Sequence, residues 1–473
     1  MKIGTIRTFI TDSCRFVVTL SKYLLLILIA LYTLESFIVF GYRYEEDKRY
    51  ILKKQLMLIF FMDFMAFLVI FLKKQELEII YFFIVQLLYF IAVQILYRIF
   101  YKNSSLLLLN HTCMLLSIGF IMLARLDMES AVRQFEIVVI ATIIAMVIPV
   151  MIHKFRFLNK WTWFYAVVGL LLLLTVLVLG KNVNGAKINI SFGGFAFQPS
   201  EFVKIIFVFF VACRLYKKNM EFRDHVITTA IAAVYVLILV LSRDLGSAVV
   251  FFITYVVMLY VATKKPLYLF AGLGSGSLAA VVAYFLFSHV RQRVIAWKDP
   301  FSVYQSSGYQ IVQGLFAIGT GGWFGMGLCQ GSPNMIPFVK QDYMFAAICE
   351  ELGGLFAMCL ILICMSLFVL VVNISLQIKR PFYKLIALGL GTEYAFQVFL
   401  TIGGVTKFIP MTGITLPLVS YGGSSVLSTI IMLAIIQGLY ILREDEDDEL
   451  ERQKRRAAQR TAGEAHRKKS TRG

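Results

Sequence analysis

Four polar clusters interrupt the long apolar runs of this chain, and their residue types suit acid-base and anion-binding chemistry. The first is Phe197-Gln198-Pro199-Ser200-Glu201-Phe202-Val203-Lys204, where Pro199 and Ser200 open a helix on which Glu201 and Lys204, at i,i+3, meet on one face. The second is Asp244-Leu245-Gly246-Ser247, a short link beside Arg243 in which an Asp before Gly and Ser reads first as a turn and cap. The third is the long link 289–342, which carries Arg291, Arg293 and Trp297, then a glycine-rich run from Gly319 to Gly327, and ends at Lys340, Gln341 and Asp342. Adjacent Glu350 and Glu351 follow within what reads as one long helix over 343–375. The fourth runs from Lys407 through Pro410 to Ser425, where two prolines and three glycines forbid a continuous helix.

Placing such groups requires elements that span a membrane. The 473 residues are 59% hydrophobic and 16% charged, with mean hydropathy +0.78, outside the balance of soluble domains. An ionisable side chain at bilayer depth costs about 2.5–3.5 kcal/mol on insertion scales, so it faces a cavity or a partner. Each cluster also has a purely structural reading: Ser200 as a helix cap beside an interfacial ion pair, Asp244 as a turn residue, Asp342 as a cap for the helix after it. The glycine-rich run has no strand-helix-strand context and is no dinucleotide fingerprint; as an apolar stretch outside the bilayer it suggests a surface that dips back in. The cysteines lack metal spacing, and no zinc site or disulfide framework is expected.

The expected class is all-α, a polytopic protein of about thirteen spans near 21–41, 55–72, 77–97, 105–124, 134–153, 162–180, 200–217, 226–242, 246–262, 266–288, 343–375, 382–403 and 425–442. No cleavage site follows the early apolar runs, so no removable signal peptide is expected. The net charge of +18 sits mostly in short links between spans, which makes it a topology signal and argues against nucleic acid. Links with Lys48, Arg49, Lys53 and Lys54, then Lys154 and Lys160, then Arg214, Lys217 and Arg223 are expected in the cytoplasm, with the tail from Arg443 onward. The segment 289–342 then faces outward, and so does the N-terminus, against its own Lys2, Arg7 and Arg15. Residues 443–473, an acidic block followed by a basic end, read as a charged, disordered tail.

Gln198-Pro199-Ser200-Glu201 with Lys204, Asp244-Leu245-Gly246, Asp342 followed by Glu350-Glu351-Leu352-Gly353, and Ser420-Tyr421-Gly422-Gly423-Ser424-Ser425 occur in the order found in the SEDS family of bacterial membrane proteins, which includes FtsW, RodA and SpoVE. The chain resembles that family over about 105–442; Thr412 to Pro417 leans toward FtsW and SpoVE, and Asn189 departs from the usual Trp. The resemblance implies a ten-helix core over 101–442 with about three extra helices in an N-terminal extension, 1–100, whose role the sequence does not reveal.

It also implies a peptidoglycan glycosyltransferase that polymerises lipid II, an undecaprenyl-diphosphate-linked substrate, beside a class B penicillin-binding protein in the bacterial cytoplasmic membrane. Asp342 matches the family's essential acid and is the expected general base. Expected to contact substrate are Gln198, Glu201, Lys204, Ser424, Arg125, Lys187, Arg291, Arg293 and Lys407, the cations holding the departing diphosphate. Glu350, Glu351 and Asp244 are expected to tune a polar cavity behind Asp342. A divalent cation, Mg or Mn, on the diphosphate suits this chemistry, although the sequence shows no dedicated metal site. The rival readings are a flippase for the same precursor, disfavoured by the absence of an internal repeat, and a non-catalytic division scaffold, which leaves the buried carboxylates unexplained.

Overall fold

A computed structural model describes residues 2–42, 44–155, 157–183, 186–192, 195–217 and 221–470, with side chains described over 19–42, 44, 46–155, 157–180, 189–190, 197–217 and 221–448. The helices in chain order are α1 (Lys2–Ile38), α2 (Glu45–Lys74), α3 (Leu77–Phe100), α4 (Leu106–Leu126), α5 (Met128–Lys154), α6 (Thr162–Leu179), α7 (Pro199–Leu215), α8 (Phe222–Leu241), α9 (Leu245–Thr263), α10 (Pro266–Leu286), α11 (Ser288–Lys298), α12 (Tyr309–Gly321), α13 (Met344–Leu352), α14 (Gly354–Gln377), α15 (Pro381–Val405) and α16 (Gly423–Ser470). A small antiparallel sheet, β1 (Lys181–Val183), β2 (Ala186–Phe192) and β3 (Phe195–Phe197), fills the α6–α7 link.

Among the described residues, twelve helices are long and apolar enough to cross a membrane. The thirteenth crossing is α7, whose 17 residues rise roughly 25 Å and are buried on nearly every side. Neighbouring helices replace lipid around it, so it needs less length than a lipid-facing span. The protein is thus a multi-pass, all-α membrane protein.

Two expectations are corrected. The single helix expected over 343–375 is broken at Gly353, whose φ is +92°, a region that L side chains rarely occupy. A Cβ there would collide with the backbone of Phe324 and Gly325, so two chain segments approach more closely than any other residue would allow. The break is satisfied by backbone hydrogen bonds from Gly354 N to Gly322 O (2.8 Å) and Leu355 N to Trp323 O (3.1 Å). The second correction concerns 443–473: α16 leaves the bundle and continues as helix to Ser470. Low hydrophobicity argued for disorder, but Ala, Glu, Gln, Lys and Arg are strong helix formers, and an existing span removes the nucleation cost. The acidic block at its start also has partners: Lys379 pairs with Asp447 and Arg380 with Glu446, both at 2.6 Å.

The extension is built into the core. Tyr32 of α1 meets His111 Nδ1 of α4 at 2.9 Å, and the other ring nitrogen meets Ser366 Oγ of α14 at 3.1 Å. Asp63 of α2 accepts from Ser117 (2.6 Å) and Gln86 (2.8 Å). These groups are fully buried, so losing either partner would strand a polar group in the bundle.

Candidate active site

The face of the bundle that carries Asp342 gathers all four motif clusters. Asp342 stands two residues ahead of α13, and its structural reading fails: the N-cap is Tyr343, without a side-chain cap. Among the described residues the half-buried Asp342 carboxylate has no hydrogen-bond or ion-pair partner. Burial pushes it up to about 6, and the nearby Arg293 guanidinium holds it below where burial alone would put it.

Arg293 reaches this point from α11. It donates to Thr412 O at 3.0 Å, and its i,i+4 neighbour Trp297 donates to Lys407 O at 3.0 Å, so one helix face lies along the irregular segment 407–412. Burial lowers Arg293 from its ordinary value, while Asp244 and Asp342 act the other way. Between them lies Gly413, with φ +75°; a Cβ on it would come within 3.8 Å of Asp342 Oδ2 and 3.9 Å of Arg293 Nη2. Glycine leaves that space open.

Asp244 combines its structural reading with a wider one. Its Oδ1 accepts from Ser247 N (3.1 Å) and caps α9, and its Oδ2 accepts from Ser200 Oγ (2.9 Å). Ser200 is therefore not a cap, since the cap position of α7 falls on Gln198. Gln198 also reaches Asp244, at 3.5 Å, and its backbone N–H donates to Ser424 Oγ at 3.0 Å, joining the starts of α7, α9 and α16.

Beneath this layer Lys204 Nζ sits 2.6 Å from Glu201 Oε2 and 2.9 Å from Gln397 Oε1, with side-chain exposures of only 5% and 9% for the ion pair. Ser428 Oγ donates to the same Glu201 oxygen at 2.9 Å. Lys204 and Glu201 thus hold helices α7, α15 and α16 together rather than opening to a ligand. Gln397, with no motif to mark it, carries the connection outward by donating to Thr415 O at 3.2 Å.

Arg125, Glu350 and Glu351 form a separate structure. Glu351 accepts from Arg125 Nε (2.9 Å), Cys329 N (3.2 Å) and Gly331 N (3.3 Å) and pairs with Arg125 Nη2 at 2.8 Å, and Glu350 accepts from Ser332 N at 2.8 Å. They stand at the far end of α13 from Asp342, roughly 13 Å away by helix rise. The two glutamates do not line a cavity behind Asp342, because the returning loop 329–332 packs there and hydrogen-bonds to both. Arg125 is likewise taken up by Glu351 and by Gly331 O, at 3.1 Å.

Of the remaining cations, Arg291 is exposed, donating to Phe285 O at 3.0 Å, and Lys407 is half-buried with no ion pair among the described residues. Lys187 lies on β2 opposite Asn182, and its side chain falls outside the described residues. Sequence reasoning missed Lys340 and Gln134 as site residues. Lys340 Nζ pairs with Asp127 Oδ2 at 2.6 Å and its carbonyl accepts from Tyr421 N at 2.7 Å, which pins the chain two residues before Asp342. Gln134 donates to Ser420 O and accepts from Gly422 N, both at 3.0 Å, holding the motif segment through its backbone. A lone amide in an apolar helix was the available signal.

Residues 104–444 match the family model FTSW_RODA_SPOVE, described as a cell cycle protein. The chain is 34% identical over 355 residues to "Peptidoglycan glycosyltransferase RodA" of Mycobacterium leprae (strain TN), covering 70% of this chain and 76% of that one. It is 34% identical over 296 residues to "Probable peptidoglycan glycosyltransferase FtsW" of Aliivibrio salmonicida (strain LFI1238), covering 59% and 73%. Among solved structures it resembles one titled "Structural coordination of polymerization and crosslinking by a peptidoglycan synthase complex", with TM-score 0.61 and 26% identity over 72% of this chain and 98% of that one. The Thermus thermophilus rod shape determining protein RodA shares the fold, with TM-score 0.55 and 23% identity over 71% and 96%. With motifs, fold and sequence in agreement over the core helices, the chain belongs to the FtsW/RodA/SpoVE family.

Proposed function

We infer that this chain is a peptidoglycan glycosyltransferase that joins lipid II units into glycan strands, with Asp342 as the general base. The observation that carries the base assignment is a half-buried carboxylate without donors among the described residues, raised to about 6 and set beside an arginine. A base whose oxygens are not already taken can accept a proton, and a value near 6 leaves it anionic but basic at neutral pH.

In the reaction, the acceptor sugar hydroxyl gives its proton to Asp342 while its oxygen forms a bond to the donor's anomeric carbon. The bond from that carbon to the lipid diphosphate breaks, and its electron pair leaves with the diphosphate. Arg293 and Lys407 stand on the same face to meet that charge. No group of three or more His, Cys, Asp or Glu suited to a metal occurs among the described residues.

The Asp342 face is extracytoplasmic in this reading, since Lys48, Arg49, Lys53 and Lys54 at the start of α2 and Lys264, Lys265, Lys379 and Arg380 in links lie on the opposite face, together with α16's extension. A class B penicillin-binding protein is the proposed partner, supported by the likeness to a complex whose title joins polymerisation to crosslinking.

The test is incubation of the purified protein with lipid II, with and without such a partner. Glycan strands on a gel are expected, and Asp342→Asn should lose roughly 10²–10⁴-fold in rate while still inserting and folding. Near wild-type strand formation by Asp342→Asn would remove Asp342 from the role, and translocation of lipid II without strands would identify a flippase.

A further inference from the structure

The reading above leaves the first three helices without a task. Yet they touch the catalytic face at two points. Where the membrane span containing the later part of α1 (Thr19–Gly41) begins on that face, Lys22 Nζ donates to Gly325 O at 3.3 Å, and the Tyr23 ring lies 5.9 Å from that of Phe324. At the end of α2 on the same face, Lys74 Nζ donates to Ala124 O at 2.9 Å, one residue before Arg125.

The α1 contacts fall on the glycine-rich crossing that holds α13, and the α2 contact falls beside the arginine that closes it. Met326 N and Gly327 N donate to Glu350 O (2.9 Å) and Glu351 O (2.8 Å), and a Cβ on Gly321 or Gly325 would clash with the backbone around 349–353. Arg125 closes the same arrangement through Glu351 and Gly331. The spanning part of α1 is itself immobilised against α4 and α14 by the buried Tyr32–His111–Ser366 chain, so Lys22 and Tyr23 act from a fixed point. The other end of α13 presents Asp342.

We propose that the N-terminal extension is an internal brace for the catalytic carboxylate: Lys22 and Tyr23, aided by Lys74, are positioning residues that fix the crossing 321–331 and, through α13, the placement and partial burial of Asp342. The extension therefore does for this chain, permanently and from within, what a docked helix could do only while bound. Loosening the crossing lets α13 shift and water reach Asp342, which lowers its basicity and misplaces it against the acceptor hydroxyl.

The experiment compares full-length wild type, Lys22→Ala/Tyr23→Ala, Lys22→Ala and Lys22→Arg in two measurements. Hydrogen exchange of peptides containing Met326 and Gly327 reads the crossing directly, and steady-state polymerisation of lipid II across pH reads the carboxylate. The double variant is expected to exchange there about tenfold faster and to lose about tenfold in kcat with KM unchanged. Its acid limb should move from about pH 6 toward about 4, the value of a hydrated Asp. Lys22→Arg, which can still donate to Gly325 O, should restore all three. Lys22 is half-exposed, so Lys22→Ala alone keeps the test open should the double variant not fold. Unaltered exchange, or wild-type kcat and acid limb, in a variant of unchanged thermal unfolding overturns the proposal, as does Lys22→Arg behaving like Lys22→Ala. The pH arm rests on Asp342 being the base, and Asp342→Asn run in parallel judges that reading separately; exchange and kcat decide the brace either way.

Discussion

Replacing Arg293 by Gln removes the positive charge nearest the proposed base and leaves most of its side-chain volume. Asp342 Oδ2 and Arg293 Nη2 lie 3.8 and 3.9 Å from one point, the position of a Cβ on Gly413, so the two atoms are under about 8 Å apart. At an effective dielectric of 20, unit charges at that distance interact by about 2 kcal/mol, or roughly 1.5 pKa units. Asp342 is only half-buried, so solvent screening reduces the effect to about one unit. The sign follows from which form the charge favours. Arg293 stabilises the carboxylate and depresses its pKa, so its loss raises Asp342 from about 6 to about 7. A base must be ionised to work, and the acid limb of kcat/KM should move upward by about one pH unit. The plateau above the limb should also fall, because the guanidinium no longer meets the departing diphosphate. Polymerisation of lipid II by purified protein between pH 5 and 9 reads both quantities. Arg293→Lys, which keeps the charge but not the fork that grips Thr412 O, should retain most of the wild-type limb position. An acid limb that stays put or moves downward in Arg293→Gln refutes the electrostatic account.

The rest of the site yields two further expectations. Gly413→Ala places a methyl group in the space between Asp342 and Arg293 and strains a backbone with φ +75°, so stability should fall by about 1–3 kcal/mol and kcat by tenfold or more, measured by thermal unfolding beside the polymerisation assay. Removing one member of the buried Glu201–Lys204 pair, as in Lys204→Met, should cost about 3–5 kcal/mol, whereas Glu201→Gln with Lys204→Met should recover much of that loss; equal stability of the single and double variants would show that the pair is not a coupled unit.

How far the sequence discloses this arrangement depends on whether a residue's task is local. The span count was legible because lipid imposes a length and a composition on each helix. α7 was legible despite having too few residues for a lipid-facing span, because Pro199 marks its start unambiguously. The break at Gly353 was not. Leu352, Gly354 and Leu355 beside it carry no stop signal of their own, and the helix yields there only because the crossing from Gly321 to Gly325 supplies its hydrogen bonds from about thirty residues upstream. Lys204 shows the same limit from the other side. Its spacing from Glu201 correctly announced an ion pair, but whether that pair faced a ligand or the bundle interior depended on Gln397 and Ser428, which come from two other helices. Likewise Arg293 was one of several cations in a long link, and only the fold brings it, and not Arg125, beside Asp342.

The two ends of α13 supply the strongest internal argument for which acid does the chemistry. Glu351 accepts three hydrogen bonds, one from Arg125 and two from backbone amides, and is ion-paired with the same guanidinium, so a proton arriving there would have to compete with a charged partner. Asp342 receives none among the described residues, and its counter-charge stands close enough to keep it ionised at neutral pH without gripping it. A structural carboxylate is stabilised by every donor that can reach it. A base is disabled by the same treatment, since each bond made in the resting state must be broken before the acceptor hydroxyl can be engaged. Less than the length of α13 separates one treatment from the other, and the rigid end is what allows the reactive end to stand without a donor among the described residues and without drifting.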